Sequence, residues 1–243
     1  MSVVDIVVYN EFKDMVRHDR KWILVTGFPG FGYVGTIAMR YMVEKLKAVK
    51  IGDIITKYMP DFVTLEDYGL MTPYELFVYP KRSLLILVNN AVPHPPERVA
   101  FAKKVVNWFI SIGGGKAILT GGLNIKFREG EEEFRWLCTD NCGWLFKEPQ
   151  LDKGLYIVGP LATLFTILKI NKVPTLVVLP YTEPSKYDPK AAAVFVKRIS
   201  DLLNLNIGID DLLRYSKVVE ETEAAIKEAM KVAGEERGPK PYM

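Results

Sequence analysis

The segment Gly27-Phe-Pro-Gly30-Phe-Gly32-Tyr-Val-Gly35 is the part of this chain whose residue types and spacing best suit chemistry. It carries the pattern G-x-G-x-x-G at Gly30, Gly32 and Gly35, after an apolar run and at the opening of a helical pattern. In that setting glycines let backbone approach a pyrophosphate on a helix N-terminus, so a nucleotide- or nucleoside-binding enzyme is one reading. A dinucleotide site also expects an acidic residue about 20 positions on, at the end of the next strand, to hold the ribose. Here Asp53 falls near that strand's start, the strand's end reads Lys57-Tyr-Met-Pro60, and Pro29 stiffens the turn. The other reading is architectural: a Gly-rich turn that lets a helix lie close to a sheet.

Other candidates carry less. His94, in Val92-Pro-His-Pro-Pro96, follows a strand and precedes a helix, which could present an imidazole at the carboxyl end of a sheet. A Pro-locked loop explains it equally, and no nucleophile or acid stands in a recognisable triad order. Gly113-Gly-Gly115 and Gly121-Gly122 bracket one short strand and suit tight turns or an anion nest. Cys138 and Cys142 have one intervening residue too many for a C-x-x-C redox pair and read as free thiols or a local disulfide. With only His18 and His94 beside them there is no zinc-type spacing, so no metal, no cofactor and no catalytic residue is assigned.

The elements that would position these residues alternate. Short β-branched runs over 3–9, 22–26, 51–57, 75–79, 84–89, 116–120, 156–158 and 175–179 predict strands. Helical periodicity covers 34–47, 97–112, 161–168, 188–203 and 210–233. The unbroken apolar runs Trp22-Ile-Leu-Val25 and Leu84-Leu-Ile-Leu-Val88 predict strands buried on both faces, hence an α/β three-layer sandwich with a mostly parallel central sheet and a long C-terminal helix. Asp188-Pro189 reads as a capped helix start. Residues 1–233 are expected to form one domain, with 124–150, an acidic run beside the exposed-looking Trp136 and Trp144, as an inserted hairpin or flap. Residues 234–243, rich in Gly and Pro, read as a flexible tail. Leu212, Val219, Ile226 and Ala233 recur at heptad spacing, which suits packing on the body or a seam between subunits, so a homo-oligomer is expected.

Composition narrows the classes. The chain has 243 residues, 49% hydrophobic and 25% charged, which excludes disordered, collagenous and disulfide-scaffold classes. A net charge of +3 is too small for a surface that coats phosphates, so nucleic acid is not a favoured partner. The first eight residues lack a signal-peptide pattern, and the longest uncharged apolar stretch, 155–168, falls short of the ~20 residues a membrane span needs. A cytoplasmic protein without a membrane partner is expected.

Four pieces in order, Gly27 to Gly35, Thr120-Gly-Gly-Leu123, Gly159-Pro-Leu-Ala162 and Pro180 through Ala192, resemble the proteasome assembly chaperone 2 family, in particular its archaeal members. The resemblance implies a phosphorylase-like α/β sandwich, no catalytic machinery, and a role in assembling the proteasome α-subunit ring. It also gives meaning to Pro241-Tyr242-Met243, which matches the hydrophobic-Tyr-any-residue tail of proteasome activators and assembly chaperones. Tyr242 would pack its ring between neighbouring α subunits, Pro241 would fill a hydrophobic slot, and Met243 would offer a terminal carboxylate to a pocket lysine. The implied partners are proteasome α subunits, further copies of this chain in an oligomer such as a ring, and a homologous second subunit.

Overall fold

Residues 4–16, 20–140 and 142–235 are described by the structure, a computed structural model. The strands are Val4–Val8 (β1), Trp22–Gly27 (β2), Val49–Thr56 (β3), Thr64–Glu66 (β4), Gly69–Met71 (β5), Tyr74–Tyr79 (β6), Leu84–Asn89 (β7), Gly114–Thr120 (β8), Leu123–Asn124 (β9), Phe134–Cys138 (β10) and Thr175–Thr182 (β11). The α-helices are Val34–Leu46 (α1), Arg98–Ser111 (α2), Gly159–Ile170 (α3), Pro189–Leu203 (α4) and Asp210–Glu235 (α5).

Nine strands make one sheet in the order β1-β3-β6-β7-β2-β8-β11-β10, with β9 beside the end of β11. Its centre, β7-β2-β8-β11, is parallel, as the doubly apolar runs require. The flanks are antiparallel, because β6 returns into β7 through the short turn at Pro80–Arg82 and β10 runs back along β11, so the sheet as a whole is mixed. Successive side chains of the central strands alternate between two cores. Leu24, Leu85, Leu87 and Leu119 face Phe101 and Phe109 of α2 and Leu164 of α3. Val25, Ile86, Val88 and Ile118 face Ile37 and Met42 of α1 and Phe195 and Ile199 of α4. This is the expected α/β sandwich, with a helical layer on each face of the sheet.

Local signals held where the chemistry was local. Asp188 Oδ1 accepts the Ala191 N–H at 2.8 Å and Pro189 occupies the first turn of α4. The start of α5 is fixed to the end of α1 by the Lys45 to Asp211 ion pair at 2.6 Å and by Tyr41, whose hydroxyl donates to the Gly208 carbonyl at 2.7 Å. Three expectations need correction. Within the region 124–150, residues Phe134–Cys138 form β10, an edge strand of the main sheet, and Trp136 is buried there rather than exposed, while Trp144 is half-buried. The expected strand at 156–158 is not formed: these residues are irregular chain and, among the described residues, pair with no strand. A short hairpin, β4–β5, stands apart from the sheet and was not foreseen, since its alternation is only three residues long on each side. Cys138 and Cys142 are joined in a disulfide, with Cα atoms 5.9 Å apart.

Candidate functional site

The connection leaving β2 crosses through α1 toward β3 on one side, whereas the chain leaving β8 travels to β11 on the other. A crevice opens where such paths diverge, beyond the carboxyl ends of the two strands, and this is where open α/β sheets bind ligands. The crevice here is a cleft of about 440 Å³. Its floor is the Gly-rich turn after β2 (Phe28, Pro29, Gly30, Phe31) together with Thr120, Gly121 and Gly122 after β8. The start of α3 (Pro160, Leu161) closes one side, and irregular chain from the 124–158 region (Phe127, Leu151, Leu155 to Val158) forms the outer wall.

Among the described residues no carboxylate, imidazole, amine, guanidinium or thiol lines this cleft. Of its polar side chains, Thr120 donates its hydroxyl to the Val178 carbonyl at 2.9 Å and Asn124 accepts the Lys126 N–H at 3.0 Å, capping the turn that presents Phe127. What remains is a neutral, largely apolar surface, to which the exposed Tyr156 brings a phenol hydroxyl. Such a surface can bind, by burying apolar groups.

The glycines of the first turn serve contacts within the fold. A Cβ on Gly35 would lie 2.6 Å from the Phe28 nitrogen, and one on Gly27 would lie 2.6 Å from the Gly35 Cα, so strand and helix touch through these two residues. Gly32 has φ +64° and its open side is filled by the Thr182 hydroxyl. Its carbonyl accepts the Asp188 N–H at 3.0 Å, and Thr182 donates to Asp188 Oδ2 at 2.7 Å, which ties the β2–α1 turn to the β11–α4 connection. Of the three fingerprint positions, Gly30 alone faces open space, its nearest neighbour being the Phe28 carbonyl at 3.9 Å.

Asp53 sits on β3, separated from β2 by β6 and β7, and is paired with Lys50 at 3.1 Å while accepting from Tyr9 and Thr72. A ribose acid must stand on the strand beside the phosphate turn, so topology removes Asp53 from that role. His94 is exposed, rests against Tyr58 with ring centres 5.2 Å apart, and lies outside the cleft lining. Calorimetry with nicotinamide and adenine nucleotides is expected to show no binding tighter than about 1 mM, equivalent to about −4 kcal/mol.

The outer wall hangs on one residue that sequence reading passed over. Arg135 of β10 is buried and donates to the Tyr181 hydroxyl at 2.7 Å. It also reaches Glu132 at 3.3 Å, Asp152 Oδ1 at 3.2 Å and the Gln150 carbonyl at 3.3 Å. Both chain segments that carry the wall are therefore fastened to β11 through one guanidinium. Burial pushes the Tyr181 phenol up and Arg135 draws it back, while backbone N–H groups, its own first, hold the Glu132 carboxyl below its usual range. Arg135→Ala is expected to cost about 1–3 kcal/mol, because it takes the charged donor from the buried Tyr181 hydroxyl and from the Glu132 carboxylate. Amide exchange should then speed up at 126–133 and 150–157 before it does in the central strands. Two arginines, Arg128 and Arg135, flank the acidic run, and nothing in the sequence says which of them turns inward.

The four sequence pieces that set up the family resemblance meet here, three lining the cleft and the fourth bracing Gly32. Fold and site together define an α/β sandwich with a neutral switch-point cleft, and solved structures share that fold. Pyrococcus furiosus PbaA, described as an archaeal homolog of proteasome-assembly chaperone, superposes with a TM-score of 0.77 at 21% identity, over 96% of this chain and 95% of that one. PbaB of the same organism, described as an archaeal proteasome activator, gives 0.74 at 22% identity over 93% and 100%. Protein MJ1210 of Methanocaldococcus jannaschii is 23% identical over 213 residues, covering 84% of this chain and 83% of its own. The model of the PAC2 family matches residues 24–229, and the chain belongs to that family.

Proposed function

We propose that this protein is a non-enzymatic proteasome-assembly chaperone-like factor that binds 20S proteasome α subunits through Pro241-Tyr242-Met243 and acts in the cytoplasm. The observation that carries the reading is membership of the PAC2 family together with a neutral, largely apolar cleft, which suits holding a partner. Likeness in fold to PbaA and PbaB, described as a chaperone homolog and a proteasome activator, supports the choice of partner. The tail residues 241–243 lie outside the described residues, beyond the end of α5. In this reading residues 1–233 act as one α/β domain and 234–243 as its tail; the Tyr242 ring is the anchor and Pro241 the hydrophobic neighbour.

The protein works as a homo-oligomer in this proposal, a ring being the arrangement that presents several tails at once. Apolar surface on the β4–β5 hairpin supports it, with Val63 64%, Leu65 76% and Leu70 63% exposed. A homologous second subunit in place of a further copy would satisfy the same surface. The test is size-exclusion chromatography with light scattering of the purified chain mixed with 20S α subunits. Co-elution in a complex heavier than either component is expected, and separate elution at micromolar concentrations would overturn the proposal.

A further inference from the structure

The cleft has depth as well as apolar sides. Phe28, Thr120, Leu161 and Leu179 line it while buried, whereas Phe31, Phe127, Tyr156 and Val158 line it with 46%, 45%, 83% and 66% of their surface exposed. Sites for small molecules are concave, enclose about 300–1,000 Å³ and carry few polar groups among apolar and aromatic ones. This cleft encloses about 440 Å³. A folded partner is held instead by a broad face of about 800 Å², to which a recess of this kind contributes little.

Gly30 lines the cleft and is bare without a packing reason. A Cβ on Gly122 would lie 2.4 Å from the Phe31 carbonyl oxygen, and one on Gly121 would press on Leu161 at 3.0 Å. At Gly30 the nearest atom would be 3.9 Å away, and its φ of −165° is extended backbone that any residue adopts. Neither space nor conformation in the fold asks for glycine there. A side chain at 30 would instead stand in the cleft, and its absence lets a ligand lie against the main chain.

We infer that the cleft binds a small, uncharged, ring-bearing molecule that is mostly hydrocarbon, seated against the backbone at Gly30. Phe28, Phe31 and Phe127 offer rings for stacked or edge contact. A charged group would leave water with no opposite charge to meet it, since among the described residues the lining holds none. A polar edge on the ligand has two groups to meet. One is the Tyr156 hydroxyl, and the other is the Asn124 amide, whose Oδ1 is taken by the Lys126 N–H while its own N–H groups have no partner among the described residues. The inference rests on the reading of the cleft as a holding surface and not on α-subunit binding through residues 241–243.

The experiment is a fluorescence titration of the full chain with N-phenyl-1-naphthylamine, an uncharged probe, beside 8-anilinonaphthalene-1-sulfonate, which has the same rings and a sulfonate. Saturable binding of the uncharged probe at micromolar concentration is expected, with the sulfonate at least about tenfold weaker. Gly30→Trp should weaken the uncharged probe at least about tenfold by filling the cleft, at a position where the fold has room. Val158→Asp sets a carboxylate on the lining at the N-cap of α3, where Asp is well tolerated; it should weaken the probe likewise and stands in if the Trp variant fails to fold. Leu65→Asp, on the separate hairpin, should leave the constant within about twofold. No saturable binding of the uncharged probe below about 100 μM would overturn the inference. So would equal binding of the two probes, a constant indifferent to both Gly30→Trp and Val158→Asp, or one lost in Leu65→Asp. The chain is titrated alone, so failure here and failure of α-subunit binding are read separately.

Discussion

Alanine at Gly35 is expected to destabilise the protein by about 3 kcal/mol, lowering its melting temperature by about 6–12 °C in a chain of this size. The cause is steric and local. The new Cβ would lie 2.6 Å from the Phe28 nitrogen and 2.7 Å from the Phe28 carbonyl oxygen, both backbone atoms held by the β2–α1 turn. Neither can give without separating α1 from the sheet, where Ile37 and Met42 are packed against Val25 and Ile86. Gly30→Ala supplies the contrast. It sits one turn away in the same fingerprint, with φ −165°, and an added Cβ would meet nothing nearer than 3.9 Å, so its effect should stay within about 0.5 kcal/mol. Thermal unfolding of the two variants checks this. Equal effects at both positions would mean that the turn's glycines are not sorted by packing.

That contrast also marks how far the sequence could be read. The parallel centre was legible because β2, β7 and β11 are apolar without alternation, which only burial on two faces permits. The α4 cap was legible because Asp188 and Pro189 act within one turn of chain. Strand order was not, and it decides the role of Asp53: in sequence it follows α1, yet two strands intervene between β3 and β2. The cleft floor was visible as four glycine-bearing pieces, but its wall was not. Phe127, Leu151 and Leu155 belong to irregular chain with no period, and they are brought together by Arg135, whose contacts join residues up to 46 apart. Long-range side-chain bonds of that kind leave no spacing to recognise.

The second large effect belongs to the tail. Tyr242→Ala is expected to weaken binding to proteasome α subunits by about a hundredfold or more, since an oligomer that loses one anchor per copy loses avidity as well as each contact. In the proposed reading, where 234–243 act as a tail outside the packed core, the melting temperature should stay within about 1 °C of the parent.

Surface plasmon resonance of the intact chain over immobilised 20S α subunits, run beside a chain lacking Pro241, Tyr242 and Met243, tests the central claim most directly. Saturable binding at micromolar or lower concentration is predicted for the intact chain, about −8 kcal/mol or better, with the shortened chain at least a hundredfold weaker. Equal binding by the two chains, or no binding by the intact one, would contradict it.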